Sequence, residues 1–257
     1  MRIQVRKCAT ERVVLAVALA ASAALVRGAD APRYTPGISG ASNEAAVAMD
    51  RFQLAEGLEV SLFAAEPFLA NPVAMAIDGR GRVFVAETFR HTVAVPDIRN
   101  YMHWLEDDLA SRTVADRTAM LEKYLGEAIE TYRIDHDRIR RIVDRDGDGV
   151  ADESTVFADG FHDVPDGIGA GLLVDGDKVW FSCIPDLWLL TDADDDGVAE
   201  SRESVYTGFG IHVGFLGHDL HGLTFGPDGR IYFSIGDRGI HVETPAGTLA
   251  HEDYGTV

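Results

Sequence analysis

The chain has 257 residues, 46% of them apolar and 25% charged, so it can bury a core and lacks the composition of a disordered segment. Acidic residues outnumber basic ones 42 to 23, giving a net charge of −19. An acidic field of that size repels phosphate backbones and argues against nucleic acid as a partner.

The start of the chain differs in kind. Arg2, Arg6, Lys7 and Arg12 precede the uncharged run Val13–Val26, which has the length of a signal-peptide apolar region and is short for a membrane span. Ala29-Asp30-Ala31 supplies small residues for cleavage after Ala31, so residues 1–31 are expected to be a signal peptide. The mature protein is then exported, to the periplasm, the cell envelope or the medium. An uncleaved segment that associates the protein with the membrane is the alternative. Cys8 stands far from any lipobox position. Loss of residues 1–31 removes five basic and two acidic residues and leaves −22. It also leaves Cys183 as the one mature cysteine, in the apolar strand Val179–Ile184, where a small buried thiol is expected and no internal disulfide can form.

Residues 32–50 read as a linker, Gly/Ser/Pro-rich over Pro32–Asn43 and weakly helical from Glu44 to Phe52. The globular part occupies 51–257. Val60–Ala64 is expected to be a lone strand, the place from which propellers take the closing strand of the last blade. Three stretches then share one design, an apolar strand, a Gly/Asp turn and a second apolar strand: Ala74–Glu87, Gly171–Asp186 and Gly222–Asp237. The cations after their turns, Arg82, Lys178 and Arg230, are 96 and 52 residues apart. Between them lies a second repeat, Arg138–Phe161 and Asp186–Phe209, in which two strands flank an Asp-rich loop, with Asp144 and Asp192 separated by 48 residues. Four strands in a period of about 40–50 residues predict a β-propeller blade. An isolated four-stranded sheet leaves apolar faces in water, so blades must stack. The expected fold is therefore all-β, an incomplete propeller of about three blades.

The first period is lengthened by residues 98–131, where helical spacing takes over. Tyr101, Trp104, Leu105 and Leu109 recur on one face, Thr113 with Asp116 forms an N-cap signal, and Val114, Thr118, Leu121, Leu125 and Ile129 continue the pattern. This predicts a two-helix insertion within the first blade, either covering one mouth of the propeller or packed on its rim.

Two acidic loops carry the clearest chemistry. Asp144, Asp146, Asp148 and Asp152 occupy positions 1, 3, 5 and 9 of a calcium-loop spacing, with Gly149 at position 6. Asp192, Asp194, Asp196, Gly197, Glu200 and Glu203 fill positions 1, 3, 5, 6, 9 and 12 of a second. Carboxylates with no nearby Cys or His favour calcium over zinc. Asp and Gly also make tight turns unaided, so each loop has a plain structural reading too.

The stretch Gly217–Gly239 reads GHDLHGLTFGPDGRIYFSIGDRG. A His seven residues before the Phe of FGPDG, followed by a strand ending in GDRG, resembles the glucose/sorbosone dehydrogenase family of pyrroloquinoline quinone propellers. FQLAEGLEVSLFAAEP, NPVAMAIDGRGRVFVAET and the insertion resemble bacterial membrane-bound dehydrogenase proteins that extend such a propeller, and the likeness covers roughly 45–257. The resemblance implies an oxidoreductase acting on a sugar or other alcohol, with His218 as general base. It implies His218, His221, Asp237 and Arg238 as residues around a bound quinone. It implies also an electron-accepting cytochrome c domain. No Cys-x-x-Cys-His occurs, so haem c is expected only in a downstream domain absent from this sequence. Leu220-His221 replaces the family's Gly-Gly, and no Gln stands near Asp166. His162, Asp163 and Asp166 are expected to share a polar mouth with His218. The rival reading is a non-catalytic, calcium-stabilised propeller that binds a glycan or a protein.

Overall fold

The computed structural model describes residues 34–252. The expected signal peptide, 1–31, lies outside them, as does Cys8. A short helix, α1 (Glu44–Met49), opens the described part. Twelve strands follow, arranged in four antiparallel sheets.

The first sheet is a meander of β1 (Pro72–Ile77), β2 (Val83–Glu87), β3 (Asp137–Val143) and β4 (Glu153–Phe161). The second repeats it with β5 (Gly169–Asp175), β6 (Lys178–Cys183), β7 (Asp186–Thr191) and β8 (Ser201–Thr207). Two hairpins complete the series, β9 (His221–Phe225) with β10 (Ile231–Ser234) and β11 (Ile240–Thr244) with β12 (Gly247–His251). Period-2 alternation explains how the second sheet buries both sides. Val179, Phe181 and Cys183 face Phe84, Ala86, Ile139, Phe157 and Phe161 of the first sheet. Trp180, Leu173 and Leu187 pack with Leu223, Ile235, Ile240 and Val242 of the hairpins. The sheets therefore stack face to face in chain order, with β5 against β1 on one side and β9 on the other. A fully buried Phe such as Phe157 or Phe181 contributes about 1.5–3 kcal/mol by leaving water.

The expected strand Val60–Ala64 is a correction, since that segment is irregular. A strand needs a ladder partner. Here Phe63 accepts one bond, from the Ala151 N–H at 2.8 Å, while its side chain and Ala64 pack beside Val85 and Ile142 on the outer side of the first sheet.

Between β2 and β3 the chain forms α2 (Leu105–Ala110) and α3 (Val114–Leu125), flanked by 3-10 turns at Ile98–Asn100, Met102–Trp104 and Gly126–Arg133. Thr113 and Asp116 cap α3 reciprocally, each side chain accepting a backbone N–H. Ile98, Trp104, Met120 and Leu121 pack on Val164 and Val213, so the insertion lies on the two loops that lead into β5 and β9.

Candidate active site and acidic loops

His218 sits in the turn before β9, with its N–H bonded to the Phe215 carbonyl at 3.2 Å. Its carbonyl accepts the Gly236 N–H at 3.1 Å, which draws the chain after β10 alongside. Position 236 must be glycine, since a Cβ there would lie 2.6 Å from that of His218. This approach brings Asp237 Oδ1 to 2.9 Å from His218 Nδ1, with both side chains partly in solvent (49% and 39% exposed). The carboxylate fixes the ring's orientation through Nδ1 and leaves Nε2 outside that contact.

Groups from the insertion border this pair. Arg99 lies over the Phe215 ring at 5.0 Å and is paired with Asp97. The hydrogen bond from Arg99 holds the Asp97 carboxyl well below the usual range, and Asp97 also accepts the Leu216 N–H. Phe215 meets the His218 ring edge to face at 5.4 Å. The result is a partly exposed aromatic ring with a guanidinium over it, beside a carboxylate and an imidazole.

The residues next in sequence are enclosed. Asp219 and Arg238 form an ion pair at 3.4 Å beneath the His218–Asp237 pair, with side chains 0% and 1% exposed. Arg238 thus offers no group to a ligand arriving from outside. Arg117 of α3 donates to the Pro165 carbonyl at 2.5 Å, and burial lowers its pKa to about 10. His221 begins β9, exposed and opposite Ser234.

His162 and Asp163 are engaged with the helical segment. His162 stacks on His136 at 3.9 Å, with Nδ1 3.0 Å from the Arg133 carbonyl, and Asp163 pairs with Arg133 at 2.8 Å. Asp166 is more secluded, and burial pushes its pKa up to about 7. Arg90, fully buried, fastens this loop by donating to the carbonyls of Tyr132, Asp135, Asp163 and Asp166. Burial also raises Asp137 to about 6, although its oxygens accept from Thr88, Phe89 and Gly169. Cys183 is completely buried, and burial drives its thiol pKa upward, which leaves it unreactive.

Both acidic loops are hairpin connections, one between β3 and β4 and the other between β7 and β8. In the first, ligand atoms of Asp144, Asp146 and Asp152 lie within 4.8 Å of one another. In the second, those of Asp192, Asp194, Asp196 and Glu200 do so. Asp148 is exposed and accepts the Val150 N–H, outside the first group. Glu203 stands in β8 opposite Leu189, outside the second.

Sequence reasoning missed Asp97, Arg99, Phe215, Arg90 and Arg117. Nothing in their local pattern distinguishes them from ordinary loop and helix residues. A family profile described as a domain of unknown function, DUF7133, matches residues 44–254. No curated protein and no solved structure gives a match to the chain.

Proposed function

The chain belongs to the DUF7133 family, whose description assigns no activity, and from the geometry around His218 we propose an exported oxidoreductase acting on a sugar or other alcohol, with His218 as general base. The observation that carries the reading is the 2.9 Å contact between His218 Nδ1 and Asp237. A base oriented by a carboxylate is what abstraction of a hydroxyl proton needs. Asp237 holds the ring, the part of the Phe215 ring left open by Arg99 suits the apolar side of a sugar, and the solvent-facing Arg99 guanidinium supplies hydrogen bonds to hydroxyls. The three stacked units are read as blades of a β-propeller, supported by the side-by-side placement of β1, β5 and β9.

The residues present do not fit pyrroloquinoline quinone. Its carboxylates need cations facing the ligand, whereas Arg238 is enclosed on Asp219 and Arg99 is held by Asp97. With that group set aside, the hydroxyl proton passes to His218 and the hydride to a separate two-electron acceptor, the role an added redox dye fills in the test. The non-catalytic alternative, a glycan-binding module, is favoured by the same exposed Phe215 beside polar side chains.

The test is reduction of an added two-electron redox dye by the full-length protein with calcium and a panel of sugars and alcohols. His218→Ala should lower turnover by roughly 100-fold or more with the melting point unchanged, and His221→Ala by less. Full activity of the His218 variant would sink the mechanism. Retained sugar binding without turnover of any alcohol by the intact protein would establish the binding module instead.

A further inference from the structure

The two acidic loops look alike in sequence, yet their position-1 carboxylates differ. In the first loop Asp144 spends both oxygens on its own backbone, Oδ1 on the Gly147 N–H at 2.7 Å and Oδ2 on the Gly149 N–H at 2.8 Å. In the second, Asp192 Oδ2 accepts the Gly197 N–H at 3.0 Å, while Oδ1 is buried and has no hydrogen-bond partner among the described residues. Asp192 is only 6% exposed. A buried carboxylate oxygen without a partner is destabilising unless a donor or a cation meets it. Asp194, Asp196 and Glu200 each give one oxygen to a loop N–H, which leaves each a second oxygen for an ion.

The second loop is also clasped by the neighbouring sheet. Arg141 of β3, 4% exposed, lies 3.3 Å from Asp192 Oδ2 and 3.4 Å from the Asp195 carbonyl. Gly197 makes room for it, since a Cβ there would fall 2.1 Å from Arg141 Nη2. Arg80 and Arg82 both pair with Asp195. These three cations offset part of the loop's negative charge without touching Asp192 Oδ1. Arg141 holds the opposite oxygen and so aims Oδ1, as an outer-shell partner orients a metal ligand.

We propose that the loop Asp192–Glu200 is a calcium site joining the second sheet to the first, and that the loop Asp144–Asp152 is a turn without a resident ion. A set of carboxylate oxygens on a flexible loop suits calcium's large, oxygen-rich coordination sphere better than magnesium's small octahedral one. The site is independent of the oxidoreductase reading, because none of its residues borders His218.

The experiment is calorimetric titration of the chelator-treated full chain with calcium chloride, with melting curves alongside. One calcium should bind, raising the melting midpoint by about 5–10 °C at hundredfold excess over Kd. D194N/D196N, whose amides keep the loop's N–H bonds, should abolish binding, and D146N/D148N should leave it unchanged. Arg141→Met should weaken binding by about 10-fold or more, as loss of an outer-shell partner does. Arg80→Ala, at an exposed position, serves as the folded control if the Arg141 variant is unstable, and should weaken binding by less than threefold, as expected for an exposed pair. No calcium heat in the native protein, or binding lost with D146N/D148N and kept with D194N/D196N, would overturn the proposal.

Discussion

Glu87→Ala is expected to cost the native state about 3–5 kcal/mol, the range for breaking a buried ion pair from one side. Glu87 closes β2 with its side chain wholly enclosed. Oε1 accepts the Ala70 N–H at 2.6 Å and the Arg140 guanidinium at 3.1 Å, and Oε2 accepts from Arg138. Alanine would strand the Arg138 cation, whose side chain is 4% exposed, and leave Ala70 N–H without its acceptor. In a domain of this size that loss corresponds to a midpoint lowered by about 6–20 °C. Glu87→Gln keeps an acceptor for Ala70 and one for an arginine, so its cost should be nearer 1–3 kcal/mol. Glu87→Leu combined with Arg138→Met should be milder than the two single changes added together, because no orphan charge remains. The assay is urea unfolding followed by tryptophan fluorescence, at dilutions that keep the chain monomeric. A loss below about 1 kcal/mol for Glu87→Ala, or equal losses for Ala and Gln, would refute the account of a buried network that depends on charge.

Asp166 gives a pH prediction. Its native pKa is raised from 3.8 to about 7 by burial, with Arg90, Asp163 and Asp186 as its charged neighbours. The native chain therefore holds a proton that the unfolded chain has released, and stability falls as pH rises between those values, by up to about 1.4 kcal/mol per pH unit. Asp166→Asn removes that term, so its stability relative to the parent should improve from pH 4.5 to pH 7.5, and an equal difference at both would exclude the assignment. The outer face of β1 exposes Val73, Met75 and Ile77, and the β9–β10 hairpin exposes Phe225 and Tyr232. The chain by itself should self-associate at tens of micromolar through these faces, and Met75→Lys with Ile77→Glu should reduce this in sedimentation velocity. A monomer at that concentration would count against it.

Strand positions were legible because they depend on the chain's own short-range geometry. The near-continuous apolar runs Val83–Glu87 and Lys178–Cys183 mark strands buried on both faces, and Asp-Gly steps mark where the chain turns. The cap at Thr113 and Asp116 is equally local. Val60–Ala64 shows where that logic stops, since an apolar run becomes a strand only when a neighbour completes its ladder. The candidate sites were legible as residue types and spacings and no further. That His218 meets Asp237 while the adjoining Arg238 is enclosed on Asp219 depends on the approach of two segments some 19 residues apart. That Asp192 is enclosed while Asp144 is only half-buried depends on the neighbouring sheet, where Arg141, 51 residues earlier, packs against the loop. Spacing determines what a loop could hold. Burial and pairing across the stacked sheets decide which of two similar loops has a buried charge left to neutralise, because desolvation is a property of the packed interior and not of any local stretch of chain.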